Sequence, residues 1–134
     1  MVEPRKLRVL VVDDEELCRW ASRQLVARFG HEVEEAASGE AALRKVDLWN
    51  PDALLLDIGL PGMDGIELLV TVRRQRPITR AILMTAHATL ETALAAIRGG
   101  AIDYLTKPLD PRELEAALRR VSLRRHEAVA TQAV

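Results

Sequence analysis

The stretch Ala53-Leu54-Leu55-Leu56-Asp57-Ile58-Gly59-Leu60-Pro61-Gly62-Met63-Asp64-Gly65-Ile66-Glu67-Leu68-Leu69-Val70 reads as one strand, one turn and one helix in succession. Ala53 to Leu56 is a short, wholly apolar run that ends at turn-forming residues, the pattern of a strand covered on both faces. Asp64 can cap a helix whose apolar residues include Ile66, Leu69 and Val70, and Pro77 stops that helix. The unit therefore reads as β followed by α, with Asp57 at the junction.

Outward from this unit the alternation recurs until five strand and helix pairs are reached. The other strands are expected at Arg8 to Val12, Glu32 to Ala36, Ala81 to Met84 and Asp103 to Leu105. Glu32 to Ala36 is the least apolar and is expected at an edge. A stripe of Leu17, Ala21, Leu25 and Phe29 predicts the first helix, closed by Gly30 at C′. Ser38 can cap a second helix carrying Leu43 and Val46. Leu90, Ala93, Leu94 and Ile97 give the fourth helix its apolar face, and Gly99-Gly100 ends it where positive φ is needed. Asp110-Pro111-Arg112-Glu113 opens the fifth, with Asp110 as cap, Pro111 at N1 and Glu113 placed for a capping box. That helix buries Leu114, Ala117, Leu118 and Val121, and its apolar period stops beyond Leu123.

Alternating strands and helices imply an α/β fold: a doubly wound parallel sheet with helices on both faces and right-handed crossovers. In such sheets ligands bind outside the carboxyl ends of the strands. Five residues fall at those ends: Asp13 and Asp14, Asp57, Thr85 and Lys107. Any single one could be an ordinary cap or loop residue. Together they form a constellation.

Composition narrows the possible partners. The chain has 134 residues, 49% hydrophobic and 29% charged, within the size of one domain. Its 19 basic and 20 acidic residues leave a net charge of -1, so no global field draws it to nucleic acid or to an anionic membrane. Arg119, Arg120, Arg124 and Arg125 are read as a solvated helix end rather than as a nucleic-acid contact. The single cysteine, Cys18, fits a reducing compartment and reads as a small apolar helix residue. The basic and apolar start runs straight into Asp13-Asp14-Glu15-Glu16, unlike a signal-peptide cleavage region, and no run is long enough to span a membrane. A cytoplasmic location is expected.

Three carboxylates in one crevice need compensation. At about 5 Å and an effective dielectric near 20, each pair repels by roughly 3 kcal/mol. Lys107 offers one positive charge, and a hard divalent cation with oxygen ligands would balance the rest, which suits Mg²⁺. A metal, a carboxylate and a lysine together are equipment for phosphoryl transfer, with Asp57 as the nucleophile. Phosphorylation would then take the acidic total from -3 to about -4, and the Thr85 hydroxyl is the nearby donor able to answer it.

These residues resemble the receiver domains of two-component response regulators. The resemblance spans about Leu7 to Val121, leaving 122–134 as a tail or the start of a linker helix. It is carried by Val9-Leu10-Val11-Val12-Asp13-Asp14-Glu15, by Leu54 through Gly65, by Met84-Thr85-Ala86 and by Asp103-Tyr104-Leu105-Thr106-Lys107-Pro108. It implies a flavodoxin-like (βα)5 fold with strand order 2-1-3-4-5. It further implies that Asp57 is the phosphoacceptor, and that Asp14, Asp57 and the Gly59 carbonyl bind Mg²⁺, with Asp13 acting through a metal-bound water. Lys107 would pair with the phosphoryl oxygens, Thr85 would move toward them, and Tyr104 would change rotamer with it. The Lys107–Pro108 bond would be cis. The implied partners are a histidine kinase as phosphodonor, an output domain beyond the carboxyl terminus, and a second copy through the face made by helix four, strand five and helix five. Direct nucleic-acid binding and membrane contact are not implied.

Met84-Thr85-Ala86-His87 and Gly99 through Asp110 are most similar to the nitrogen-regulator type, which usually precedes a sigma-54-activating ATPase or another DNA-binding output. The chain holds no Walker A pattern. A flavin or nucleotide domain would need phosphate-cradling donors after strand one, where Asp13-Asp14-Glu15-Glu16 stands instead. An aspartyl phosphatase or phosphomutase generally has a second acid where Gly59 lies. A degenerate interaction module would have lost acidic or lysine positions. His87 is read as an exposed loop residue.

Overall fold

The apolar runs pair into one parallel sheet because every strand has a hydrophobic layer on each side. The computed structural model describes residues 5–133, and the side chains of residues 5–123. In chain order the elements are β1 (Arg8–Val12), α1 (Glu16–Arg28), β2 (Glu32–Ala36), α2 (Gly39–Trp49), β3 (Ala53–Asp57), α3 (Gly65–Gln75), β4 (Arg80–Thr85), α4 (Leu90–Gly99), β5 (Asp103–Thr106) and α5 (Pro111–Ala133). The sheet order is β2-β1-β3-β4-β5. All its pairings are parallel, with Leu56 opposite both Val12 and Leu83. As expected, β2 with its three glutamates lies at an edge.

Strand side chains alternate between two cores. Leu10, Val12, Leu54, Leu56 and Leu83 face α2, α3 and α4, meeting Val46, Leu68, Val72 and Ala96. Val9, Val11, Leu55, Ile82 and Met84 face α1 and α5, meeting Val26, Leu114, Leu118 and Val121. This two-sided burial explains why the central strands are continuously apolar.

The caps follow the local chemistry. Ser38 accepts the Ala41 N–H at 3.1 Å, and Asp64 accepts the Glu67 N–H at 2.8 Å. Gly30 and Gly100 take φ of +88° and +84° beyond α1 and α4. Asp110 accepts from Arg112 N–H at 2.8 Å, and no bond from Glu113 completes a capping box among the described residues.

Three helix faces differ from expectation. In α1 the sheet-facing residues are Ser22 and Val26, with Leu25 and Phe29 partly buried, while Leu17 is 72% exposed. Ser22 occupies a core position with its hydroxyl 4.0 Å from the Met84 sulfur, so a polar residue interrupts the apolar period and rotates the apparent stripe. In α3 the buried residues are Leu68, Leu69 and Val72, and Val70 turns outward. The apolar face of α4 is real in sequence but open: Ala96 is buried, whereas Leu90 and Ile97 are 77% and 72% exposed.

The amino-terminal strap is tied down by Arg5 N–H to Ser122 Oγ at 2.5 Å and Leu7 N–H to His31 Nδ1 at 3.0 Å. Helix α5 continues to Ala133, past the end of its apolar period. The Arg124 and Arg125 side chains lie outside the described residues. Among the described residues no helix is long and apolar enough to cross a membrane.

Candidate functional site

Four strands deliver their last or next residues to one rim. Asp13 follows β1, with its N–H bonded to Ala36 O at 3.2 Å, and is wholly buried. Its Oδ1 accepts from Glu15 N–H at 3.0 Å, and its Oδ2 accepts from Lys107 Nζ at 2.7 Å. Asp57 is the last residue of β3 itself, because that strand runs one residue further than its apolar run. It divides its oxygens in the same way, with Oδ1 accepting from Gly59 N–H at 2.9 Å and Oδ2 from Lys107 Nζ at 2.9 Å. Asp14 stands exposed at the lip. Carboxylate oxygens of Asp13, Asp14 and Asp57 all lie within 4.8 Å of one another.

Lys107 follows β5 and is anchored by its backbone N–H to Thr85 O at 2.8 Å, and the Lys107–Pro108 bond is cis. Burial would pull the Lys107 amine down, yet its hydrogen bonds and attraction to Asp13 and Asp57 outweigh that and hold it well above the ordinary lysine range. Burial raises the Asp13 carboxyl, and the Lys107 and Glu15 hydrogen bonds only partly oppose it. The amine is therefore a fixed positive charge between two acids.

Thr85 ends β4 almost fully buried. Its Oγ1 accepts from His87 N–H at 3.2 Å and donates to His87 O at 3.3 Å, so the hydroxyl is engaged by the β4–α4 turn. His87 itself is exposed. Asp14, Asp57, Gly59, Thr85, His87 and Lys107 line one open cleft. Tyr104 does not line it. Half-buried on edge strand β5, its ring packs against the α4-side core and its hydroxyl bonds to Thr92 Oγ1 on α4.

The donor set offers only oxygens, clustered and acidic, with one side open to solvent. That is the ligand chemistry of a hard divalent cation, and the fixed Lys107 charge leaves it unbalanced by itself.

The receiver-domain model, described as response regulator receiver domain, matches residues 9–119. The chain belongs to the response regulator receiver domain family. Relatives include the transcriptional regulatory protein TcrA of Mycobacterium tuberculosis, 41% identical over 88% of this chain and 47% of TcrA. The DNA-binding transcriptional regulator NtrC of Escherichia coli is 39% identical over 84% of this chain and 24% of NtrC. The chain thus spans about half the length of the one relative and a quarter of the other. Among solved structures, a receiver domain protein (CheY-like) from Methanospirillum hungatei superposes with a TM-score of 0.83 at 33% identity, covering 92% of this chain and 99% of that one. NtrX from Brucella abortus matches with a TM-score of 0.84 at 32% identity, over 94% of this chain and 30% of that one. NtrC and NtrX agree with the nitrogen-regulator type.

Two residues of this receiver were not singled out from sequence. Gly65, at the start of α3, touches the backbone of the Asp57 strand end, and the only signal was its place beside a capping aspartate. Thr92 reaches Tyr104 across from α4, and nothing in a linear pattern marks such a contact.

Proposed function

We propose that this receiver accepts a phosphoryl group on Asp57 from a histidine kinase, in a Mg²⁺-dependent reaction, and uses the result to control an output domain or partner. The observation that carries this reading is the Lys107 amine bonded at once to Asp13 and Asp57 beside a third carboxylate. Asp14, Asp57 and the Gly59 carbonyl would hold the metal, with Asp13 acting through a water. Asp14 is the exposed acid and Asp13 the wholly buried one, which supports that division. The bound metal would supply charge neutralisation to the transferring group.

The chain's own residues do the rest. An Asp57 carboxylate oxygen attacks phosphorus in line, the phosphorus bond to the donor imidazole breaks, and the imidazole nitrogen keeps that electron pair and takes up a proton. Lys107, already charged and aimed at Asp57, pairs with the phosphoryl oxygens. Thr85 leaves His87 and donates to the new dianion, and Tyr104 turns with it. Hydrolysis of the acyl phosphate by water would reset the domain, so the chain catalyses only its own modification. The receiver unit is Leu7 to Val121, and 122–134 is a tail or the start of a linker helix toward an output, by analogy with the transcriptional regulators it resembles. A cytoplasmic location and self-association through α4, β5 and α5 accompany this reading.

Incubation with acetyl phosphate and Mg²⁺ is expected to attach one acid-stable, base-labile phosphate, lost in Asp57→Asn. Labelling that persists in Asp57→Asn would remove Asp57 from the role.

A further inference from the structure

We propose that Thr92 is a positioning residue that holds Tyr104 in its present rotamer and couples it to the first turn of α4. This deepens the switching reading given above and rests on it. Thr92 sits at N3 of α4 in a reciprocal capping box. Its N–H donates to Thr89 Oγ1 at 3.1 Å, and its own Oγ1 accepts the Thr89 N–H at 3.0 Å. The same Oγ1 donates to Thr89 O at 3.0 Å and bonds the Tyr104 hydroxyl.

A threonine hydroxyl has one proton and two lone pairs. Four partners meet at Thr92 Oγ1: the N–H and O of Thr89, Thr89 Oγ1 at 3.1 Å and the Tyr104 hydroxyl, and in the last two contacts either hydroxyl can donate. Tyr104 is thereby one partner of the hydroxyl that caps α4. When Tyr104 turns away, the cap loses one of its partners, and the first turn of α4, bearing the exposed Leu90, feels the change. The backbone of Tyr104 is held independently, its N–H bonded to Asp103 Oδ1 at 2.8 Å, so the side chain can turn while the strand stays.

Tyr104 is the chain's single tyrosine, which makes the test clean. Thr92→Val keeps the branched shape and removes the hydroxyl, Thr92→Ser keeps the hydroxyl, and Thr89→Ala removes the cap oxygen but leaves Thr92 intact. Tyr104 χ1 populations are measured by NMR on selectively labelled tyrosine, first without any phosphodonor and then during titration with beryllofluoride and Mg²⁺. Thr92→Val is expected to redistribute the Tyr104 rotamers and to lower the titration midpoint by about 2- to 10-fold, the span of one net hydrogen bond. Thr92→Ser should stay near wild type, and Thr89→Ala should lower helix stability without moving the rotamers. In Tyr104→Phe the Thr89 amide should exchange faster. Unchanged rotamers in Thr92→Val, or an equal shift in Thr89→Ala, would overturn the assignment. Failure of wild type to respond to beryllofluoride would count against the phosphoacceptor reading alone, since the rotamer comparison without donor still judges Thr92.

Discussion

A Cβ on Gly65 would stand 2.5 Å from the main-chain oxygen of Asp57. The first turn of α3 therefore lies directly on the strand end that carries the site, joined there by Gly65 N–H to Ile58 O at 3.1 Å. Neither partner can give way cheaply, because both are backbone. Gly65→Ala is expected to lower stability in urea by about 1–3 kcal/mol, the usual range for overpacking, and to slow acetyl phosphate labelling as Asp57 shifts. An alanine variant with wild-type midpoint and labelling would show that the helix can retreat freely.

Lys107→Ala removes the cation shared by a wholly buried and a nearly buried carboxylate. Breaking a buried pair from one side costs about 3–5 kcal/mol at most, and the opening at Asp14 should reduce this. The variant should melt lower than wild type without metal, and Mg²⁺ should raise its Tm by more than it raises wild type, because the acidic cluster has lost its internal counter-charge. Thermal melts with and without Mg²⁺ decide the matter, and an equal metal response in both proteins would contradict this electrostatic account.

His31 links pH to the anchoring of β1. Its Nδ1 accepts the Leu7 N–H, so the ring must be neutral on that nitrogen. Burial pushes its pKa below the ordinary 6.5, against smaller opposing contributions from Asp52 and Glu115. With the folded value depressed, the unfolded chain binds the extra proton first, and stability falls as pH drops below about 6.5. Urea midpoints should decline between pH 7.5 and 5 in wild type and decline less in His31→Asn. Parallel declines would place the proton elsewhere.

The α4 face offers a separation of folding from contact. Leu90 and Ile97 are mostly exposed, so the Leu90→Ser, Ile97→Ser double variant should change stability by no more than about 0.5 kcal/mol per site. Phosphorylation should be unaffected, while self-association of the phosphorylated domain, followed by sedimentation, should weaken. Undiminished association would locate the contact on another face.

Much of this molecule was legible in a line of letters because its signals are local. Apolar runs closed by turn residues marked the strands, Ser38 and Asp64 marked helix starts, and Gly30 and Gly100 marked ends, each through bonds or φ values set within a few residues. Placing Asp13, Asp14, Asp57, Thr85 and Lys107 at strand ends followed from the same pattern, since parallel strands share one carboxyl edge. What the chain order could not decide was set by packing across elements. Ser22 rather than an apolar residue faces Met84, which turned the α1 stripe, and Leu90 and Ile97 point outward because α4 lies at the sheet's edge with Ala96 as its buried contact. The division of Lys107 between two acids, the fit of Gly65 on Asp57 and the bond from Tyr104 to Thr92 arise only when distant segments meet. Local bonding chemistry is written residue by residue, whereas contacts between elements depend on how whole faces settle against one another.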